Sequence, residues 1–128
     1  KIAVMELKWG IVPDMGGMVL LPKLVAPDVM RKLTYTATPV GPDQALAWGL
    51  VTELADDPLA AAMELAAEIA GRSPAAIRAA KRLMVLAETA TDADILLAES
   101  QEQAVLIGKP EQMEVVAATL GKRPAVFQ

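Results

Sequence analysis

Two carboxylates near the start of the chain, Glu6 and Asp14, have the types and spacing that acid/base chemistry would need. Glu6 follows an apolar run at residues 2–5, and both acids lie in a segment rich in glycine and proline. A carboxylate at the end of a buried segment can give and take protons when its surroundings hold it between its two charge states. The sequence therefore predicts an acid/base site within residues 6–17.

Each acid also has a structural interpretation. Glu6 could be a solvated carboxylate paired loosely with Lys8, because a lone Glu is usually a surface group. Asp14 lies two residues before Gly16 and could cap a helix that the apolar run at residues 18–21 suggests. Residue types alone leave both interpretations open.

Apolar periodicity, prolines and glycines predict the elements that must position these acids. The sequence predicts strands at residues 1–6 and 50–54, with residues 34–38 extended or irregular. It predicts helices at residues 16–24, 27–34 and 42–48, and four more that begin near residues 58, 74, 92 and 110. This order predicts an α/β fold class, with a small α/β region over residues 1–56 that contains the candidate catalytic loop and a C-terminal helical region over residues 57–128.

The composition is more apolar than that of an ordinary domain. Hydrophobic residues make up 54% of the 128 residues, and the mean hydropathy is +0.37, whereas average apolar usage is about 45–50%. No uncharged apolar run reaches the ~18 residues of a membrane span. Because the chain begins inside an apolar run, we expect a missing preceding segment or another chain to cover part of its surface.

Charge and residue types exclude several classes of function. The net charge is −4 with scattered cations, which argues against nucleic acid as the main partner. The chain has no Cys and no His, so it contains no Cys nucleophile, His-based triad or Cys/His zinc site. We expect no metal site, and the lack of cysteine fits a cytoplasmic protein.

An ordered set of motifs resembles the crotonase family of enoyl-CoA hydratases and isomerases. The first motif, E-x-x-x-G-x-x-P-x-x-G-G, is formed by Glu6, Gly10, Pro13, Gly16 and Gly17. The resemblance continues at residues 45–51, 73–77, 80–81 and 121–127. It covers nearly all of the chain but only the C-terminal half of a crotonase. It implies the C-terminal half of a crotonase-like ββα spiral fold, followed by a helical trimerisation region.

The resemblance also implies a set of site residues. Glu6 would be a catalytic acid/base, and Asp14 matches an acid of the dienoyl-CoA isomerases. The substrate pocket would be lined by Trp9, Gly10, Pro13 and Gly17. Lys122 and Arg123 would contact the phosphates of coenzyme A, although Thr119 replaces the aromatic residue that commonly precedes this basic pair.

The reaction implied is acid/base chemistry on an unsaturated acyl-CoA thioester, with the enolate held by two backbone amides. Hydration by a lyase of fatty acid metabolism is the first expectation. A dienoyl-CoA double-bond isomerase and a non-catalytic half that only assembles or binds CoA are the alternatives. The amides and the second hydratase carboxylate lie in the family's N-terminal half, so this chain alone is predicted to be inactive. The expected partners are that half and further copies in a homotrimer or hexamer, with no separate cofactor because CoA is part of the substrate.

Overall fold

The structure, a computed structural model, describes residues 1–127 of the chain. They form two compact units, one over Lys1–Pro58 and the other from Leu59 onward. The first contains 3₁₀ helices at Glu6–Trp9 and Leu21–Lys23, and α1 (Gly17–Leu20), α2 (Pro27–Thr36) and α3 (Pro42–Ala47). The chain continues through α4 (Pro58–Ala70), α5 (Pro74–Ala87), α6 (Asp92–Leu106) and α7 (Pro110–Leu120).

Prolines begin most of these helices, as the sequence predicted. The fixed φ and missing N–H of proline suit the first helical turn. A proline is the first residue of five helices: α2, α3, α4, α5 and α7. The predicted helix at residues 27–34 is confirmed but extends to Thr36, where Ala37 (φ +48°) ends it. The prediction that residues 34–38 are extended or irregular is therefore wrong for Thr34, Tyr35 and Thr36.

The predicted strands are largely absent from residues 1–127. The one β pairing described there is an antiparallel bridge between Ile2 and Val40, with N···O distances of 3.1 and 2.8 Å. Residues 1–6 form no longer ladder, and residues 50–54 form none. A strand needs a neighbouring strand to satisfy its backbone groups, and this stretch of chain supplies only Val40. Within residues 1–127, the α/β class and the ββα spiral are thus visible only as this bridge.

The first unit has a small apolar core that carries the Glu6 segment. Helix α2 packs against both 3₁₀ helices. Its residues Met30 and Leu33 are buried together with Val4 and Val25 from the flanking segments. The residue Val4 precedes Glu6 by two positions, so burial of this core holds the start of the first 3₁₀ helix in place.

The second unit contains side-chain helix caps and a charged pair that joins two helices. Helix α5 packs against α6, and Arg82 donates from Nε and Nη2 to the two oxygens of Glu102, both at 2.6 Å. This fork lowers the pKa of Glu102 below its ordinary value. Thr91 caps α6 by accepting a hydrogen bond from the amide of Asp94 at 3.3 Å.

The start of α5 is capped from two directions. Ser73 Oγ accepts from the Ala76 amide at 3.2 Å and donates to Glu111 Oε2 at 2.7 Å. The same Glu111 oxygen accepts from the Ala75 amide at 2.9 Å. These bonds, the amide first, lower the pKa of Glu111, and they tie the first turn of α7 to the first turn of α5.

Across residues 1–127, no helix has both the length and the apolar character needed to cross a membrane. The longest helix, α6, covers Asp92–Leu106 and contains several acidic residues.

Candidate active site

The Glu6 side chain projects from the first residue of a short 3₁₀ helix. The Lys8 amide donates to the Met5 carbonyl oxygen and the Gly10 amide to that of Leu7, both at 3.1 Å. The carbonyl oxygen of Glu6 itself accepts from the Ile11 amide at 3.3 Å. Gly10 has a φ of +73°, a left-handed conformation that glycine adopts without steric cost. Gly10 thus closes the turn that carries Glu6.

One oxygen of the Glu6 carboxylate is buried without a hydrogen-bond partner. Glu6 Oε2 has no partner among the described residues, and Glu6 as a residue is half-buried. Lys8 forms no ion pair with it; the Lys8 Nζ lies 5.7 Å from the centroid of the Trp9 ring. The interpretation of Glu6 as a solvated partner of Lys8 is therefore wrong. A buried oxygen without a hydrogen-bond partner costs free energy, so Glu6 Oε2 stands out among the side-chain atoms of residues 1–127.

Asp14 lies in the following turn and does not cap a helix. Helix α1 begins at Gly17, and its N-cap residue is Gly16, at φ +82°, with no side-chain cap bond. The side chain of Asp14 is exposed and has no hydrogen bond or ion pair within residues 1–127. The capping interpretation is wrong because the helix starts too late for the Asp14 oxygens to serve its first amides.

The predicted pocket residues occupy this turn and the 3₁₀ helix before it. Trp9 and Gly10 belong to the turn of Glu6, and Trp9 is 74% exposed, so it is not a core residue of this unit. A Cβ built on Gly17 would lie 3.7 Å from Pro13 Cβ, an ordinary contact, so the two residues are close neighbours. Their role as a pocket lining stays a prediction.

The two cations of the C-terminal segment have different surroundings. Lys122 is exposed and pairs with nothing in the part of the chain that the structure describes. Arg123 donates from Nη1 and Nη2 to the two oxygens of Glu114, at 2.5 and 2.9 Å, and from Nη1 to the carbonyl oxygen of Pro124 at 3.0 Å. The prediction that both cations meet CoA phosphates stays a prediction, but the Arg123 guanidinium already has a carboxylate partner.

Glu114 is a residue whose role sequence reasoning missed. Its Oε1 also accepts from the Val126 amide at 2.9 Å. The Arg123 guanidinium, followed by this amide, lowers the pKa of Glu114 from 4.5 to about 2 and raises that of Arg123. The available signal was an acid on the helix nine residues before an arginine in the tail, a spacing that no helical periodicity rule covers.

The C-terminal segment also shapes a cavity of the second unit. The cavity has a volume of about 910 Å³ and is lined by residues of α5, α6 and α7 together with Arg123 and Ala125. Residues of the segment that carries Lys122 therefore form part of the wall of this cavity.

Comparison with known proteins places this chain in a family. The family model for enoyl-CoA hydratase/isomerase matches residues 1–128. The chain belongs to the enoyl-CoA hydratase/isomerase family, and the resemblance found in the sequence is confirmed.

Individual relatives agree with this family. Carnitinyl-CoA dehydratases of Shigella flexneri and Escherichia coli strain K12 are each 37% identical to it over 89 residues, covering 65% of this chain and 33% of the relative. The solved structure of DspI from Pseudomonas aeruginosa is similar with a TM-score of 0.87 and 31% identity, over 98% of this chain and 49% of that chain. The solved structure of an enoyl-CoA hydratase from Polaromonas sp. JS666 is similar with a TM-score of 0.85 and 25% identity, over 96% of this chain and 49% of that chain. The chain thus spans about a third of the curated relatives' length and about half of these solved structures.

Proposed function

We propose that this chain supplies the catalytic acid/base, Glu6, of an enzyme that adds water to a 2-enoyl-CoA thioester or removes it again. The observation that carries the proposal is the buried Glu6 Oε2, which has no partner in the described chain. The position of Glu6 at the head of the family motif supports it. So do the relatives named as hydratase and dehydratase.

The chemistry asks a carboxylate to move a proton beside a thioester. In hydration, a water oxygen bonds to the β-carbon and a proton is delivered to the α-carbon, with an enolate between the two steps. Glu6 would give or take one of these protons from its buried oxygen. By the family resemblance, the two amides that hold the enolate and the second carboxylate come from a segment equivalent to the other half of the relatives. We propose that the chain acts only together with such a segment.

Double-bond isomerisation is the second candidate, and it is favoured because the Asp14 carboxylate has no hydrogen-bond or ion-pair partner within residues 1–127. Asp14 is exposed and is not consumed as a helix cap. An isomerase moves a proton between carbons of the acyl chain, and a second acid eight residues after Glu6 suits that transfer if it reaches the same pocket. Since the relatives include a carnitinyl-CoA dehydratase and an enoyl-CoA hydratase, we rank hydration first.

Binding of the CoA part is proposed to use Lys122. The exposed ammonium of Lys122 has no partner within residues 1–127, whereas the Arg123 guanidinium is bound to Glu114. A cation that needs no release from another partner binds a phosphate at lower cost. CoA phosphates are thus the proposed partner of this end of the chain.

Assembly into a trimer or hexamer is proposed from the exposed apolar side chains. Each unit exposes several large ones, among them Met15, Val19, Leu59, Met84 and Leu120. Exposed apolar surface of this extent marks an interface with another segment or chain. Sedimentation of the full-length protein should therefore give an oligomer, and a concentrated, stable monomer would contradict this proposal.

The experiment is turnover of the full-length protein on 2-enoyl-CoA and on 3,5-dienoyl-CoA. Hydration requires activity on the first substrate, and isomerisation on the second. Asp14→Asn should spare hydration and abolish isomerisation, because Asn cannot transfer the proton. If the wild-type protein turns over neither substrate yet binds CoA, the non-catalytic alternative holds and the proposal fails.

A further inference from the structure

The end of α7 places a lysine where helices usually place glycine. The Arg123 amide donates to the Ala118 carbonyl oxygen at 3.0 Å, and the Lys122 amide to that of Thr119 at 3.2 Å. This pair of bonds is the Schellman motif, which requires a left-handed residue just after the helix cap. Lys122 is that residue, with φ +49°. The left-handed conformation is unfavourable for a residue with a side chain, so something must hold Lys122 there.

The fork between Glu114 and Arg123 holds this turn. The Glu114 carboxylate accepts hydrogen bonds from both Nη groups of Arg123, the residue that follows Lys122. It also accepts a hydrogen bond from the amide of Val126. Three hydrogen bonds thus tie the segment after the turn back to the middle of α7. A bidentate arginine–carboxylate pair is directional as well as strong, so it fixes where the turn points.

We propose that Glu114 and Arg123 are positioning residues that hold the Lys122 ammonium in place for a CoA phosphate. The inference rests on the proposed contact between Lys122 and CoA, and it assigns Arg123 to the support of that contact instead of to the phosphate. Arg123 Nη1 already donates to Glu114 and Pro124, which leaves it committed within the chain. The exposed Lys122 is the cation left for the ligand.

The test measures the dissociation constant of CoA by calorimetry, at low and at moderate salt, for variants of the full-length protein. Lys122→Ala should weaken binding about tenfold, as expected for loss of a hydrogen bond to a charged group. It should also flatten the salt dependence, since exposed charge pairs are screened. Glu114→Gln should weaken binding by several-fold while Lys122 is still present.

A matched control separates positioning from general loss of stability. Glu102→Gln breaks the other bidentate arginine pair of this unit, which lies between α5 and α6 and away from the tail. Its CoA affinity should stay within about twofold of wild type, as for a remote exposed pair. Equal weakening by Glu114→Gln and Glu102→Gln would overturn the inference.

The decisive comparison is made in the Lys122→Ala background. Adding Glu114→Gln or Arg123→Ala there should cause no further loss of affinity, because both residues act through Lys122. A further loss in the Arg123 double variant would mean that Arg123 touches the phosphate itself, and would overturn the inference. Should Glu114→Gln not fold, Arg123→Lys serves instead, since lysine keeps the charge but cannot form the fork.

Lys122→Gly gives an independent readout. Glycine suits the left-handed turn, so this variant should be more stable than wild type and yet bind CoA about tenfold more weakly. Unchanged CoA affinity in both Lys122 variants would remove the proposed CoA contact itself. Weakened affinity in these variants with normal affinity in Glu114→Gln would leave the contact standing and reject the positioning role.

Discussion

Removing the Ser73 hydroxyl should destabilise the second unit at the junction of α5 and α7. Ser73 Oγ caps α5 through the Ala76 amide and donates to the Glu111 carboxylate. Replacing a serine N-cap with alanine costs about 1 kcal/mol, in a range of about 0.5–2. Ser73 is 9% exposed, so water cannot readily replace the lost hydroxyl at either partner. We therefore expect Ser73→Ala to fall in the upper half of that range.

The assay is urea unfolding of the full-length protein followed by far-UV circular dichroism. At a slope of about 1–3 kcal/mol per molar, a loss of about 1 kcal/mol lowers the midpoint by about 0.3–1 M. Ser100→Ala is the matched control, because Ser100 lies within α6 and its hydroxyl donates only to the Leu96 carbonyl oxygen, at 3.0 Å. Alanine is favoured inside a helix, so that variant should be as stable as wild type or slightly more stable.

Two further variants separate the contributions of Ser73. Ser73→Asn keeps an N-cap acceptor and can also donate to Glu111, so it should retain most of the stability. Ser73→Asp caps equally well but sets a second carboxylate against Glu111, so it should be less stable than the Asn variant at neutral pH. If Ser73→Ala unfolds at the same urea concentration as Ser100→Ala, the cap geometry described here does not stabilise the protein.

Two more predictions concern the loss of stability at acid pH and the cost of backbone strain at a glycine. The pKa of Glu114 falls from 4.5 to about 2 in the folded chain, so its contribution to stability is full above pH 4.5 and is lost as the pH falls from there towards about 2. The urea midpoints of wild type and Glu114→Gln should therefore converge across that window, and a constant difference would contradict the pairing. Gly49→Ala should destabilise by about 1–3 kcal/mol, because Gly49 has φ +78° and the new Cβ would lie 3.0 Å from the Leu24 carbonyl oxygen. Gly108→Ala, at φ +73° in open space, should cost less in the same urea titration, and equal costs would show that the contact with Leu24 does not matter.

The helices were predictable because their signals are local. Prolines at first-turn positions and a serine or threonine at the caps of α5 and α6 mark where those helices begin. The end of α2 was missed, since β-branched residues such as Thr36 have low helix propensity and yet stay helical when Leu33 and Thr34 are buried beside them. The predicted strand at the start of the chain is largely absent, because strand pairing depends on a distant neighbouring strand that the local sequence does not specify.

The candidate site was predicted by residue type but not by contact. The motif identified Glu6, whereas the absence of a partner for its buried oxygen is a tertiary fact. The distance from Asp14 to Gly16 suggests a helix cap, but the helix begins at Gly17 with Gly16 as its N-cap residue and no side-chain cap bond. At the other end of the chain, the family resemblance implied that both Lys122 and Arg123 contact CoA, whereas the pairing of Arg123 with Glu114 is a tertiary contact that the sequence does not reveal.

The central claim is that Glu6 is the acid/base, and the most direct test is kcat/KM of full-length Glu6→Gln on 2-enoyl-CoA. Glutamine keeps the shape of the side chain but cannot exchange the proton, so we expect a loss of about 10²–10⁴-fold with unchanged folding by circular dichroism. Glu53→Gln, an exposed glutamate of the same unit, is the control and should stay within about twofold of wild type, as surface substitutions generally do. A folded Glu6→Gln protein with a rate close to that of Glu53→Gln would contradict the assignment of the site.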